Sequence, residues 1–282
     1  MKRIASLAGL IVLAASLSAG AETPLERGKY LVEGILTCGN CHTPRGPGGV
    51  LDTARAYSGG PQVWDTSEYT THGLNITPDK DTGIGGWSFE QLKRALRQGR
   101  APGGQQLSPQ MPYAYYKIFL ERDLDAVVAY LRSLPPVANK VPPTVYKVKH
   151  MRVDVPPGAE KPLPESAMKD PVKRGFYLVT IGHCMECHTP AVKGRRDFKN
   201  ALGTGGEEFP GPWGTSVSRD ITPSMDKGIG AWSDAEIKRA ITRGVRKDGT
   251  QLRPPMGFQW YATMSEADLD AIVAYLRTVP AR

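Results

Sequence analysis

The chain has four cysteines in 282 residues, and they fall in two C-x-x-C pairs, each followed at once by a histidine: Cys38-Gly-Asn-Cys41-His42 and Cys184-Met-Glu-Cys187-His188. Paired thiols can close a disulfide, supply thiolates to zinc, or bond to a haem macrocycle. The histidine separates these outcomes. Zinc sites use paired C-x-x-C but do not require an imidazole directly after both pairs. A redox disulfide would sit near a βαβ pattern, and neither pair does. C-x-x-C-H is the attachment pattern of haem c: two thiols bond to the macrocycle and the adjacent imidazole binds iron from one face. Two covalently bound haem c groups are therefore expected, anchored by Cys38, Cys41, Cys184 and Cys187 and ligated by His42 and His188.

The other face of each iron decides the chemistry. An open position or a labile ligand allows reaction on bound molecules, whereas methionine closes the site and raises the potential. Between residues 24 and 134 the one methionine is Met111, in "SPQMPYAYY", and its counterpart 145 residues on is Met256, in "RPPMGFQWY". Pro109 and Pro112 flank the first; Pro254 and Pro255 precede the second. They stiffen the loops and present the thioether at low entropic cost. Met111 and Met256 are thus the candidate second iron ligands. Methionine otherwise fills gaps in cores; Met225 and Met264 lack a first-half counterpart and are read as packing or surface. Met185 and His183 belong to the second attachment loop, on the wrong side to reach the far face. His72 is the rival ligand of the first half, but no histidine repeats it, so a loop role is expected. His150 carries no signal.

The duplication runs through most of the chain. "RGKYLVEGILTCGNCHTP" matches "RGFYLVTIGHCMECHTP", "NITPDKDTGIGGWSFEQLKRALRQG" matches "DITPSMDKGIGAWSDAEIKRAITRG", and "ERDLDAVVAYLRSLP" matches "EADLDAIVAYLRTVP". Residues 135–171 hold nine of the 24 prolines, a density that favours an extended linker. The expected domains are 24–134 and 172–280, joined by linker 135–171.

Each half reads as helices joined by long loops. Residues 25–37 form a helix leading into the first attachment motif. Ser88 with Gln91, and Ser233 with Glu236, read as capping boxes, and Gly99 and Gly244 as stops. The last helix, roughly 122–134, carries Leu124, Val127, Val128 and Leu131 on one face, repeated by Leu269, Ile272, Val273 and Leu276. Strand signals are sparse, and the loops are longer than a bare bundle needs. Gly28 and Gly175 on the first helices are expected to admit Tyr130 and Tyr275 of the last. Trp87 and Trp232 either pack or donate an indole N–H to a haem propionate, packing being preferred. Lys93, Arg94 and Arg97, with Lys238, Arg239 and Arg243, form charged faces of the kind that is usually solvated. The expected fold class is all-α, in two tandem domains, each wrapped around one covalently attached haem.

The N-terminus has a basic start at Lys2 and Arg3, an apolar run from Ile4 to Leu17, and small residues Ala19-Gly20-Ala21. This reads as a signal peptide, residues 1–21, cleaved near Ala21, and places the protein in the periplasm. The apolar run is short for a membrane span, and no later segment has transmembrane length. Net charge is +8. With no dense basic run and an exported chain, nucleic acid is excluded as a partner, and the charge serves solubility and steering.

These motifs resemble bacterial dihaem c-type cytochromes built from two class I cytochrome c domains, and in particular the cytochrome subunits of periplasmic alcohol and gluconate dehydrogenases. The likeness rests on C-x-x-C-H, "NITPD…TGIGGWS", "MPY" (altered to "MGF" in the second copy) and "DLDAVVAYLRSLPP", each once per half. It implies haem on Cys38 and Cys41 with His42 and Met111 axial, and haem on Cys184 and Cys187 with His188 and Met256 axial. Those subunits generally have three such domains and a membrane-associating tail, whereas two domains are read here. The expected function is single-electron transfer from a periplasmic dehydrogenase to a downstream cytochrome or terminal oxidase, with no catalysis of its own. The alternative is a dihaem redox enzyme of peroxidase or thiosulfate dehydrogenase type.

Overall fold

The computed structural model describes residues 22–60, 62–149, 151, 153–211 and 213–282. The expected signal peptide, residues 1–21, and His150 lie outside the described residues.

The first half opens with helix α1 (Pro24–Glu33). Thr23 accepts from the Glu26 amide at 3.2 Å while the Glu26 carboxylate accepts from the Thr23 amide at 2.8 Å, so two orphan donors are satisfied reciprocally. The helix ends at Glu33, four residues short of the sequence-based boundary. A short helix α2 (Cys38–His42) carries the first attachment motif. A hairpin of β1 (Val63–Asp65) and β2 (Tyr69–His72) follows, then α3 (Phe89–Gln98) and α4 (Glu121–Ser133). The linker contributes β3 (Val145–Tyr146). The second half repeats the helical order with α5 (Pro171–Ile181), α6 (Cys184–Cys187), α7 (Asp234–Arg243), a short α8 (Phe258–Tyr261) and α9 (Glu266–Leu276). Between α6 and α7 lie the hairpins β4 (Ala191–Val192) with β5 (Arg195–Arg196) and β6 (Glu208–Gly211) with β7 (Gly214–Val217).

The all-α expectation therefore holds only in outline. Among the described residues the fold is mainly helical, with three small antiparallel sheets added. Long loops carry backbone N–H and C=O groups that need partners, and the hairpins supply them. The segment 135–171, expected as an extended linker, is packed and partly structured, with a 3-10 helix at Glu165–Lys169. β3 joins β2 with Tyr69 opposite Tyr146, and Asn139 donates to the Ser58 carbonyl at 2.8 Å.

The capping boxes at Ser88–Gln91 and Ser233–Glu236 are present, and Gly99 and Gly244 close their helices at φ 63° and 64°, in the left-handed region where glycine carries no penalty. The apolar faces of α4 and α9 are buried throughout. Gly28 and Gly175 mark the crossing of first and last helices. A Cβ on Gly28 would lie 2.0 Å from the Ala126 carbonyl oxygen and 2.7 Å from Tyr130 Cβ; on Gly175 it would lie 1.9 Å from the Ala271 carbonyl oxygen and 2.7 Å from Tyr275 Cβ. Only hydrogen fits there.

The basic faces are not simply solvated. Lys93 pairs with Glu121 and Asp125, and Lys238 with Glu266 and Asp270, so the third helix of each half is tied to its last. Arg132 and Arg277 reach back to the carbonyls of Trp87 and Trp232, whose rings pack half-buried on the core.

One cluster of buried side chains runs through both halves. At the seam between them Arg27 binds Asp123 through two bonds of 2.9 Å, and Arg174 binds Asp268 at 2.6 Å. Both carboxylates are buried, at 0% and 2% exposure, which is tolerable only for charges that are paired. Burial works against the Arg27 charge, but Asp123 overrides it and raises the Arg27 pKa.

Candidate functional site

α2 and α6 are one-turn helices, so their cysteine pairs and histidines project from consecutive turns of tight backbone. Each follows a residue forced into the left-handed region, Thr37 at φ 48° and His183 at φ 42°. Such strain in non-glycine residues persists where the surroundings over-determine it, and it clusters at functional sites. His42 Nδ1 sits 2.7 Å from the Leu74 carbonyl oxygen, and His188 Nδ1 sits 2.7 Å from that of Arg219. A carbonyl can only accept, so Nδ1 carries the proton in both rings. That fixes the tautomer and leaves the Nε2 lone pair for a metal. Burial lowers both imidazole pKa values, the carbonyl bonds opposing, so both rings favour the neutral, ligating form.

The four cysteines are free and half-buried. Burial pushes Cys38 up to about 12, Cys41 to about 11, and Cys184 and Cys187 to about 12. Zinc ligation needs thiolates gathered at one point. Among the described residues no three His, Cys, Asp or Glu side chains form a group able to hold a metal ion. Two separated thiol pairs in apolar surroundings instead suit thioether bonds to a macrocycle.

Cys184, His188 and Met256 line one space with Ile221, Ile241 and Leu276. Its volume is about 420 Å³, its opening to solvent included. Ile35, from the first half, forms part of the same wall. Thiol and imidazole from the α6 motif and a thioether from the loop before α8 thus line one apolar space, which fits a flat apolar macrocycle. In the first half Cys38 and Met111 are each half-buried against the core, and Met111 is held in a tight turn in which its carbonyl accepts from the Tyr113 amide at 2.7 Å. Tyr57 lies 3.7 Å from where a Cβ on Gly39 would sit, Tyr116 belongs to the core against which Cys38 packs, and Tyr261 lines the space that holds Cys184.

The other candidates fall elsewhere. Met185 is core at 1% exposure, Met264 is buried at 7%, and Met225 is surface at 71%. His72 lies on β2 with a buried Nδ1 that has no hydrogen-bond partner. The sequence reading overlooked the tyrosines around the cysteines and the cross-half wall at Ile35. Tyr116 and Tyr261, 145 apart within the repeat, were the signal that could have found the first.

A mainly helical chain with C-x-x-C-H on a one-turn helix and a methionine lining the same apolar space has the features of a c-type cytochrome domain. A family model described as Cytochrome c matches residues 172–280. A dihaem cytochrome c-type protein of Cereibacter sphaeroides is 30% identical over 256 residues, which cover 86% of this chain and 82% of that one. The cytochrome c subunit of a quinone-dependent alcohol dehydrogenase of Gluconobacter oxydans is 31% identical over 99% of this chain. The cytochrome subunit of the fructose dehydrogenase of Gluconobacter japonicus is 30% identical over 92% of it. The chain spans 60% of the alcohol dehydrogenase subunit and 53% of the fructose dehydrogenase one. The chain belongs to the cytochrome c family, whose members carry covalently bound haem c and transfer electrons. Among the described residues no helix is long and apolar enough to cross a membrane.

Proposed function

We propose that this chain is a periplasmic dihaem cytochrome c that accepts single electrons from a dehydrogenase and passes them to a downstream cytochrome or terminal oxidase. Its two domains, about residues 24–134 and 172–280, each hold one haem. The first haem would be held through Cys38 and Cys41 with His42 and Met111 as its iron ligands, the second through Cys184 and Cys187 with His188 and Met256. The convergence of Cys184, His188 and Met256 on one apolar space carries this reading.

Bound haem supplies a one-electron iron couple. The residues do the rest. The cysteines fix the macrocycle covalently. Nδ1–H donation to backbone carbonyls holds each imidazole plane and raises its basicity. The methionine loops would supply the second ligand to each iron. The buried tyrosines and aliphatic side chains keep water from the iron. The relatives' names, cytochrome subunits of dehydrogenases for alcohol, fructose and gluconate, support a dehydrogenase as donor without selecting its substrate.

The test is to produce the chain with haem-maturation machinery and measure covalent haem by mass and iron per chain. Two haems and two irons are expected, falling to one each in Cys184→Ser/Cys187→Ser. A colourless or zinc-loaded product overturns the proposal. Carbon monoxide binding by the reduced protein at neutral pH would favour the catalytic alternative instead.

A further inference from the structure

Both candidate ligands of the first iron are tied to one small sheet. β2 ends at His72, and two residues on the Leu74 carbonyl accepts from His42 Nδ1 at 2.7 Å. A Cβ on Gly73 would lie 1.9 Å from the Cys41 carbonyl oxygen, so this backbone runs hard against the attachment motif. β3, from the segment between the halves, lies along β2. Tyr146 stands opposite Tyr69, the Lys147 amide donates to the Glu68 carbonyl at 2.8 Å, and the Thr144 and Thr71 hydroxyls bond at 2.7 Å. From there the Tyr146 hydroxyl donates to the Gln106 carbonyl, in the loop that leads to Met111.

That loop starts at the end of α3. The Leu107 amide donates to the Gly99 carbonyl at 2.7 Å, and the Met111 amide to the Ser108 carbonyl at 3.1 Å. Residues 102–105 are exposed and include Gly103 and Gly104, and a segment of that kind opens at low cost. Tyr146 closes on it from outside the repeat. The second half repeats the frame: the Leu252 amide donates to the Gly244 carbonyl at 2.6 Å, and Gln251 packs against Gly244 as Gln106 does against Gly99. Its methionine loop is held from within the same half, by Arg253 donating to the Trp213 carbonyl beside β7 at 3.0 Å.

On the ligand assignment above, we propose that Tyr146 is a positioning residue for Met111: the segment between the halves latches the first methionine loop. A thioether carries no charge to hold it on iron, so the time it spends away depends on how firmly its loop is fixed. The hydroxyl lowers the population of the open form without touching the iron. An outside ligand that competes with methionine then binds with an apparent affinity scaled by that open fraction.

The test titrates the oxidised holoprotein with imidazole and follows loss of the iron–thioether absorption band. In a Met256→Ala background the second iron is open from the start, so the remaining transition reports the first. Adding Tyr146→Phe, which keeps the ring and removes only the hydroxyl, is expected to raise the apparent affinity of that transition roughly 2- to 10-fold, the range to which one net hydrogen bond corresponds. In a Met111→Ala background the same substitution leaves the second transition unmoved. Lys147→Ala, next on the strand but bonded to Asp65 and the Thr66 carbonyl, moves neither. An unchanged first transition in Tyr146→Phe overturns the proposal. So does an equal rise at both centres, which would be general loosening, or an equal rise in Lys147→Ala, which would trace the effect to the strand and not to the hydroxyl. If the parent and Met111→Ala take up imidazole at the first iron equally, the ligand assignment itself fails, and the latch with it.

Discussion

Tyr177 of the second half donates its hydroxyl to Asp123 Oδ2 of the first at 2.7 Å, and Tyr30 of the first donates to Asp268 Oδ2 of the second at 2.6 Å. Each carboxylate already binds an arginine of its own half. The halves therefore exchange tyrosines over two buried ion pairs, an isologous arrangement within a single chain. Burial, with Asp123 beside it, raises the Tyr177 pKa well above its ordinary value, so the hydroxyl remains a donor.

Removing that donor should loosen the seam. Tyr177→Phe loses a hydrogen bond to a charged group and should cost about 1.5–3 kcal/mol. Asp123→Ala should cost more, roughly 3–5 kcal/mol, because it leaves the Arg27 cation without its partner. Denaturant unfolding of the haem-loaded protein checks the order; equal losses in the two variants would contradict it.

The helix crossings tolerate no added methyl group. Gly28→Ala and Gly175→Ala each place a Cβ about 2 Å from a carbonyl oxygen, and overpacking of that kind costs roughly 1–3 kcal/mol or more. Gly86→Ala, whose Cβ would meet only the Lys80 carbonyl oxygen at 3.7 Å, should leave the melting temperature unchanged. Thermal unfolding of the three variants provides the comparison.

The methionines should separate anchoring from tuning. Met111→Ala and Met256→Ala are expected to keep covalent haem while lowering the potential of the affected centre. His72→Ala should move neither potential. A fall in His72→Ala with none in Met111→Ala would transfer the ligand role to the histidine.

The arginines behind the tryptophans should differ in weight. Arg132 makes one bond to the Trp87 carbonyl, whereas Arg277 bonds the carbonyls of Ile229 and Trp232 and pairs with Asp234. Arg277→Ala should therefore destabilise more than Arg132→Ala, by about 1 kcal/mol per additional bond. Chemical denaturation of the two variants measures the difference.

Local signals were readable in advance, and contacts between distant segments were not. Ser88–Gln91, Gly99 and the α4 face follow from spacing along one helix. Gly28 against Tyr130 could be read because the repeat presents the same small–large pair twice. The box at Thr23–Glu26 was equally local, but a helix starting at residue 25 leaves its cap, Thr23, outside. β3 was obscured by prolines around Val145 and Tyr146, two residues whose types favour strands. Asp123 reads in sequence as an ordinary acid in the first turn of a helix. Nothing local shows that Tyr177, 54 positions on, comes to rest on it. The candidate ligands have the same character: sequence names His188 and Met256, while their common wall with Ile35 depends on how the halves dock.

The strand contributed by the linker bears on how the chain would behave if cut. Tyr146 lies in the sheet of the first half, while Asp154 pairs with Arg195 of the second at 2.6 Å. A proteolytic nick at the exposed stretch near Glu160 would sever the backbone without severing the assembly, because shared core and exchanged tyrosines still hold the fragments. The nicked protein should co-elute as one species, and the two fragments made separately should complement each other when mixed.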